Sequence, residues 1–227
     1  MTDVITKWPF QTQSIRAGDV VAHTYRAVFD ARSPNPFCDT RYALMGPPGQ
    51  PNLRPAYYVA TGHRGALWEI ILRTVSPNAD NQVSVPAALY AGRRLVRLRA
   101  KRDIEAVIRV DRPHRLRFVD ADTPEDMAWE MACTHSVHAI SHGMAAGVER
   151  FLTQLRFQHA ALGWRSKQYP DDLVYVLYAP PFDPDDWEII EDIDLTSAAG
   201  IALIKDAVEA PGYQWEDEPA PDPDIDP

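Results

Sequence analysis

The chain has 227 residues, a formal net charge of −9 and only two cysteines, Cys38 and Cys133. This length supports one large domain with its own core, and two cysteines exclude a disulfide framework, which favours a reducing compartment. The N-terminus lacks the apolar stretch of a signal peptide, and no run approaches the roughly 18 apolar residues of a membrane span. We therefore expect a cytoplasmic protein that does not associate with membranes.

The negative charge is concentrated at the C-terminus. Residues 206–227 carry eight acidic and no basic residues, so the preceding chain has a net charge of only −1. The final residues, EDEPAPDPDIDP, are rich in acid and proline, which predicts a disordered tail over residues 211–227. A solubilising tail is the favoured interpretation, and a partner-binding or self-masking segment is the alternative.

A basic block occupies residues 93–117, which contain ten basic and three acidic residues. Such a patch can attract nucleic acid. However, apolar residues alternate with the charges, which is typical of a half-exposed β-sheet with solvated arginines. We therefore predict a sheet here and no direct binding of nucleic acid.

In chain order, the hydrophobic patterns predict strands mixed with helices, without regular βαβ alternation. The predicted strands are 19–30, 56–60, two within 95–110, 116–119, 173–179 and a segment around 187–190. The predicted helices are a short helix or second extended piece at 65–75, a long helix over 123–157 with Gly143 and Gly147 as points of division, and a short helix at 197–208. Prolines and glycines predict an irregular loop over 33–55. The mixture predicts an α+β fold with a mixed β-sheet core and flanking helices.

The absence of several motifs excludes common types of nucleotide-binding and catalytic site. The sequence contains neither of the glycine-rich phosphate-binding motifs, GxxxxGK[ST] and GxGxxG. It also lacks the nucleophile motif GxSxG and the zinc motif HExxH. The common nucleotide-binding loops and hydrolase motifs are therefore excluded.

Glu69 is a lone carboxylate within an apolar segment, ALWEIIL. On a helix it would share a face with Gly62, Gly65 and Arg73. An ion pair between Glu69 and Arg73 on a solvated face would explain its presence. Alternatively, the glycine-lined face lets a ligand approach the backbone, with the carboxylate facing that ligand.

Three histidines, His135, His138 and His142, have a spacing that would place them along one stripe of a helix. Imidazole is a common zinc ligand, so the stripe is a candidate metal site. The favoured interpretation is that these histidines face a polar pocket or solvent, because no carboxylate occupies a matching position.

Five short motifs occur in an order that resembles the RES domain family, the toxins of Xre–RES toxin–antitoxin pairs, named for Arg, Glu and Ser. The matching pieces are Tyr25-Arg26, Arg41-Tyr42, Tyr58-Val59-Ala60, Ala66-Leu67-Trp68-Glu69 and Gly163-Trp164-Arg165-Ser166. The resemblance spans about residues 18–181. We therefore expect an N-terminal extension at 1–17, a catalytic domain at 18–210 and the acidic tail at 211–227.

The resemblance implies an ADP-ribosyltransferase-like fold and an enzyme that consumes NAD+, by hydrolysis or phosphorolysis of the nicotinamide–ribose bond or by ADP-ribosyl transfer. It implies that Glu69 stabilises the cationic sugar. Arg26 and Arg41 would bind the pyrophosphate, and Tyr58 would face the nicotinamide ring. Ser166 would bind the nicotinamide amide or a ribose hydroxyl, so Glu69, Arg26 and Ser166 form the expected catalytic set. An Xre-family helix-turn-helix antitoxin is the implied partner, and no metal is expected.

Two alternatives remain open from the sequence. The loop around Arg41 reads Thr-Arg-Tyr-Ala where the family usually has Gly-Arg-Trp-Asn, which keeps open a non-catalytic module that binds a nucleotide or a partner. The other alternative is a metal-dependent hydrolase that uses the three histidines.

Overall fold

A computed structural model describes residues 4–216, and this part of the chain contains ten β-strands and five α-helices. The strands are β1 (Gln13–Ile15), β2 (Val20–Arg26), β3 (Ala56–Ala60), β4 (Gln82–Ser84), β5 (Arg93–Ala100), β6 (Ile104–Arg109), β7 (Ala161–Arg165), β8 (Leu173–Tyr178), β9 (Trp187–Asp194) and β10 (Gln214–Glu216). The helices are α1 (His63–Ile70), α2 (Ala87–Tyr90), α3 (Pro124–Thr134), α4 (Ala139–Gln154) and α5 (Ala198–Glu209). No helix within residues 4–216 is long and apolar enough to cross a membrane.

Eight strands form one mixed sheet in the order β1-β6-β7-β8-β3-β2-β5-β9. Strands β6 and β7 are parallel, and every other neighbouring pair in this sheet is antiparallel. Strands β4 and β10 form a separate parallel pair. The predicted α+β class, with a mixed sheet and flanking helices, is confirmed.

The sheet has a buried core on each face. Alternation along β2 and β3 places Ala22, Ala56 and Ala60 in the core that α1, α3, α4 and α5 cover. Tyr57 and Val59 point to the opposite face of the sheet. There, buried residues of the strands form a second core. The four helices therefore pack against one face of the sheet.

The predicted long helix at 123–157 is two helices, α3 and α4. The predicted points of division, Gly143 and Gly147, are wrong, because the break lies between Thr134 and Ala139. Helix α3 begins as the sequence indicates, because the Thr123 hydroxyl accepts a 3.2 Å bond from the backbone N–H of Asp126. It ends at Thr134 because the backbone of the next residue, His135, is extended, whereas Gly143 and Gly147 lie inside α4. A Cβ atom at Gly147 would lie 2.6 Å from the Val4 side chain, so this glycine permits close packing.

The predicted strand at 116–119 is also wrong, because residues 114–117 form a 3-10 helix. Arg115 is 2% exposed, and its guanidinium group donates to the carboxylates of Asp126 and Glu130 on α3. Burying a paired arginine requires the chain to turn toward α3 at this point. A tertiary ion pair therefore overrides the local strand pattern.

Both predicted terminal segments contribute to the fold. Residues 4–17, predicted as an extension, supply β1 at the sheet edge and place Val4 and Ile5 in the core. The predicted disorder from residue 211 is wrong for residues 211–216, where β10 pairs with β4 and Tyr213 lies against Trp68. Tyr213 and Trp215 supply apolar area that packs against the core, which the composition of the tail as a whole did not predict. The rest of the predicted tail, 217–227, lies outside the described residues.

The basic block at 93–117 forms the predicted sheet, as β5 and β6. Seven of its arginines pair with carboxylates, three of them across the ladder between β5 and β9. These are Arg94, Arg97, Arg99, Arg102, Arg109, Arg112 and Arg115. Most of the positive charge of this block is therefore neutralised within the fold.

Candidate active site

A cavity of about 580 Å³ opens beside helix α1, and residues from both faces of the main sheet line it. Its walls come mainly from β2, β3, α1 and the loop that follows β2. This volume lies within the range of small-molecule sites in proteins. Four of the five predicted site residues line it: Arg26, Arg41, Tyr58 and Glu69.

Helix α1 is fixed over the sheet by polar contacts at its first turns. The Thr24 hydroxyl of β2 donates to the carbonyl of Ala66, at 3.3 Å. The Asp172 carboxylate accepts the backbone N–H of Gly65 at 2.7 Å, and a negative charge at a helix N-terminus is stabilising. A Cβ atom at Gly62 or Gly65 would lie 2.7 Å from Asp172. The glycine face therefore contacts Asp172, and the prediction that it faces a ligand is wrong.

Glu69 lies one turn beyond Ala66 and is held by Ser166. The Ser166 hydroxyl donates a 2.6 Å hydrogen bond to Oε1 of Glu69. The hydroxyl oxygen of Ser166 also accepts the backbone N–H groups of Gln168 and Tyr169, at 3.2 and 2.9 Å. A serine hydroxyl offers one donor and two lone pairs, so all three are used. Ser166 is 2% exposed and lies behind Glu69, not on the cavity wall.

The alternative explanation of Glu69, an ion pair with Arg73, is wrong. No such pair forms between these two described side chains, although both line the cavity. Glu69 is half-buried and accepts from Ser166 instead. The carboxylate is therefore oriented by a neutral donor and faces a cavity.

Arg26 lies at the end of β2, exposed and on the cavity wall. It stands directly opposite Arg93 of β5 in the antiparallel ladder, and Arg93 lines the same cavity. Within residues 4–216 neither guanidinium group forms a hydrogen bond or an ion pair. Sequence reasoning missed Arg93, because it is one of ten basic residues in the basic block.

Arg41 lines the cavity, but its guanidinium group is largely used elsewhere. Two of its nitrogens donate to the carbonyls of Ala132 and His135, the latter at 2.9 Å, at the C-terminal end of α3. A cation at this end of a helix satisfies free carbonyls. The structure therefore places Arg41 as a helix cap at the cavity edge. Fewer of its N–H donors than those of Arg26 are free to bind a pyrophosphate, which was its predicted role.

Tyr58 presents its ring to the cavity, and its hydroxyl donates a 2.6 Å bond to the carbonyl of Arg41. Burial raises the pKa of Tyr58 well above its usual value, so the side chain is neutral. His23, which sequence reasoning did not single out, lies beside it and donates Nδ1–H to the Tyr58 carbonyl at 2.6 Å. Burial lowers the pKa of His23 to about 4, so this ring is neutral at pH 7.

Two of the three histidines near α3 and α4 hold the loop at 33–55 in place through their side chains. His138 Nδ1 lies 3.0 Å from the carbonyl of Asp39, and His142 Nε2 lies 3.0 Å from that of Thr40. His135 Nδ1 instead accepts the backbone N–H of Val137, at 3.0 Å. Within residues 4–216 no group of three or more His, Cys, Asp or Glu side chains is arranged to hold a metal ion. The histidines do not form the candidate metal stripe.

Comparisons with known proteins identify a related fold. No family model matches the chain, and no curated protein matches it in sequence. Among solved structures, it resembles a chain in the crystal structure of the M. tuberculosis MbcT–MbcA toxin–antitoxin complex, with a TM-score of 0.55 and 16% identity. The match covers 84% of this chain and 91% of that chain. The protein therefore shares its α+β fold with a chain of that toxin–antitoxin complex.

Proposed function

We propose that this protein is an NAD+-consuming toxin of a toxin–antitoxin pair, and that Glu69 is its catalytic carboxylate. The observation that carries the proposal is the pairing of Glu69 with Ser166 at the wall of a cavity that also exposes Arg26. The fold similarity to a chain of a toxin–antitoxin complex supports the toxin role. The order of the RES-like motifs supports NAD+ as the substrate.

The proposed reaction is cleavage of the bond between nicotinamide and ribose. The electron pair of that bond goes to the ring nitrogen, which is cationic in NAD+, so nicotinamide leaves as a neutral molecule without protonation. The sugar develops oxocarbenium character, as in glycoside hydrolysis. Its C1′ atom then forms a new bond to a nucleophile, which is water in hydrolysis, phosphate in phosphorolysis or an acceptor group in ADP-ribosyl transfer, and a proton released from that nucleophile goes to solvent. Glu69 stabilises this positive charge, because a fixed carboxylate in a partly dry cavity interacts more strongly than one in water. Since the leaving group is already activated, we propose that no metal is required.

The other lining residues have complementary roles in this proposal. Arg26 binds the pyrophosphate, because a free guanidinium group offers paired donors to phosphate oxygens. The neutral ring of Tyr58 provides a flat face for nicotinamide. Ser166 acts as a positioning residue for Glu69 and not as a ligand contact, since its hydrogen-bonding capacity is used within the fold. Arg41 shapes the cavity edge through α3.

Exposed apolar residues in the loop that follows β2 support the proposal of an antitoxin partner. Val28, Phe29 and Phe37 are 83%, 65% and 66% exposed, and Phe29 lines the cavity itself. Large exposed apolar side chains in one region are typical of a surface that another protein covers. We propose an Xre-type helix-turn-helix antitoxin as that protein, in keeping with the RES-like motifs.

Expression in a bacterium tests this proposal. The intact chain is expected to arrest growth and to lower cellular NAD+, whereas Glu69→Gln is expected to do neither. Glu105→Gln is a matched control, because Glu105 is exposed on β6 and far from the cavity lining. Arrest that persists in Glu69→Gln would contradict the proposed activity. Arrest with unchanged NAD+ would instead indicate ADP-ribosyl transfer to a scarce target.

A further inference from the structure

We propose that Arg93 and Arg26 together form a two-arginine site for the diphosphate group of the substrate. The identity of the ligand rests on the proposed function, whereas the assignment of an anion site rests on the geometry of the pair. Arg93 thereby becomes a binding residue of this protein.

The first observation is the register of the sheet. Arg26 of β2 and Arg93 of β5 are direct partners in an antiparallel ladder. Side chains at such positions leave the same face of the sheet, with Cβ atoms about 4.5–5.5 Å apart. Thr24, two residues before Arg26 on that face, contacts α1, which carries Glu69. Both arginines therefore project into the cavity that Glu69 faces.

The second observation is that this cross-strand pair has no internal compensation. Like charges directly opposite each other destabilise a sheet. Seven arginines of the basic block have a carboxylate partner, and the next residue, Arg94, pairs with Asp192 at 3.0 Å. Arg93 has no such partner among residues 4–216. Burial, with the nearby charge of Arg26, lowers the pKa of Arg93, so the positive charge is held here at a cost.

Two carboxylates line the cavity, those of Glu69 and Asp30. Glu69 accepts from Ser166, and Asp30 accepts the backbone N–H of Arg32 at 2.8 Å. Neither carboxylate forms an ion pair with Arg26 or Arg93 in the described part of the chain. The pair is therefore available to an anion from outside the protein.

Two guanidinium groups side by side suit a diphosphate better than a single phosphate. Two guanidinium groups on adjacent strands present two separate forks of N–H donors, and each fork matches the oxygens of one phosphate. A diphosphate offers two linked phosphates, so both forks are satisfied at once. Arg73 and Lys167 also line the cavity without ion pairs in residues 4–216, which raises its positive potential further.

Binding of inorganic pyrophosphate to the purified full chain tests the site. Titration calorimetry is expected to show that Arg93→Gln raises the Kd for pyrophosphate by about tenfold or more. Arg97→Gln removes the same charge from the same strand, outside the cavity, and is expected to leave the Kd unchanged. Arg93→Lys, which keeps the charge but loses the fork, is expected to bind with intermediate affinity.

The stability of the unliganded variants provides a second readout. Arg93→Gln is expected to have a Tm equal to or above that of the wild-type protein, because it removes a repulsive pair. A wild-type protein that fails to bind pyrophosphate would overturn the site, as would an Arg93→Gln variant with wild-type Kd. Pyrophosphate binding that depends on Arg93 in a protein that does not cleave NAD+ would leave this site intact and refute only the proposed activity.

Discussion

The hydroxyl group of Ser166 donates a 2.6 Å hydrogen bond to the carboxylate of Glu69, across 97 residues of sequence. This bond joins the turn after β7 to the last turn of α1. Because Ser166 is itself held by two backbone N–H groups, it gives Glu69 one fixed orientation at the cavity wall. The candidate site is therefore a carboxylate with a buried support, and not a pair of side chains that both reach the ligand.

Replacing Ser166 with alanine is expected to lower kcat for NAD+ by roughly tenfold to a hundredfold, with little change in KM. The reason is that Glu69 loses the donor that orients it, while the groups that bind the substrate remain. The free energy of unfolding is expected to fall by about 1–3 kcal/mol, because a buried N–H group of Tyr169 and a partly buried one of Gln168 lose their acceptor. Steady-state kinetics and urea unfolding measure both effects, with exposed Ser76→Ala as the control. An unchanged kcat would show that Ser166 does not position Glu69.

Replacing Gly65 with alanine is expected to lower the free energy of unfolding by about 1–3 kcal/mol. The added Cβ atom would lie 2.7 Å from Asp172, whose carboxylate holds the first turn of α1. The matched control is Gly143→Ala in α4, where nothing lies within 4 Å. That substitution is expected to raise the free energy of unfolding by about 0.5–1 kcal/mol, because alanine favours a helix. Urea denaturation of both variants checks the opposite signs, and changes of equal sign would refute the packing role of Gly65.

Arg26 and Arg41 are expected to separate into a binding residue and a structural residue. Arg26→Gln is expected to raise KM for NAD+ by about tenfold or more and to change the free energy of unfolding by less than about 0.5 kcal/mol. Arg41→Gln is expected to lower the free energy of unfolding by about 1–2 kcal/mol, because the end of α3 loses its cap. Kinetics and urea unfolding of both variants make the comparison. A stable Arg41→Gln variant with a raised KM would instead support the pyrophosphate contact that the sequence suggested.

The contact between α1 and α5 is expected to make stability depend on acid pH. Asp206 accepts from Arg64 at 2.8 Å and lies 2.7 Å from His63 Nε2, and the bonds from Arg64 lower the pKa of Asp206 to about 2. An unfolded aspartate has a pKa of about 3.9. The stabilisation is therefore fully present above about pH 4 and is lost as the pH falls through about 2.

Urea unfolding of Asp206→Asn and the wild-type protein measures this contribution. The variant is expected to be less stable at about pH 6, and the difference is expected to shrink toward zero near pH 2. Asp80→Asn, at an exposed loop position, serves as the control for loss of a carboxylate. A difference between Asp206→Asn and wild type that stays constant over this range would rule out the proposed linkage.

Local patterns in the sequence specify many of the elements. The strand at 56–60 has the predicted bounds, and Thr123 caps α3 as its position indicates. These features depend on short-range chemistry, on the alternation of apolar residues and on a side chain that reaches three residues along the chain. The α+β class follows because strands and helices occur without βαβ alternation.

The details of the site depend on contacts between distant segments, which no local pattern encodes. Arg41 reaches carbonyls more than 90 residues away on α3. Ser166 is buried behind Glu69 because the backbone after β7 turns inward. Arg93 is distinguished from its basic neighbours only by its register opposite Arg26. The order of the RES-like motifs therefore singled out Glu69 and Ser166 as candidate site residues, but it did not predict how they are arranged.

Release of nicotinamide from NAD+ by the purified protein tests the central claim most directly. The wild-type protein is expected to release nicotinamide over many turnovers, with or without a metal chelator, and Glu69→Gln is expected to be slower by about a hundredfold or more. Glu105→Gln is expected to match the wild-type rate. Both variants are expected to unfold at the wild-type urea concentration, which separates catalysis from folding. No release by the wild-type protein, or equal release by Glu69→Gln, would contradict the assignment of this cavity as an NAD+-cleaving site.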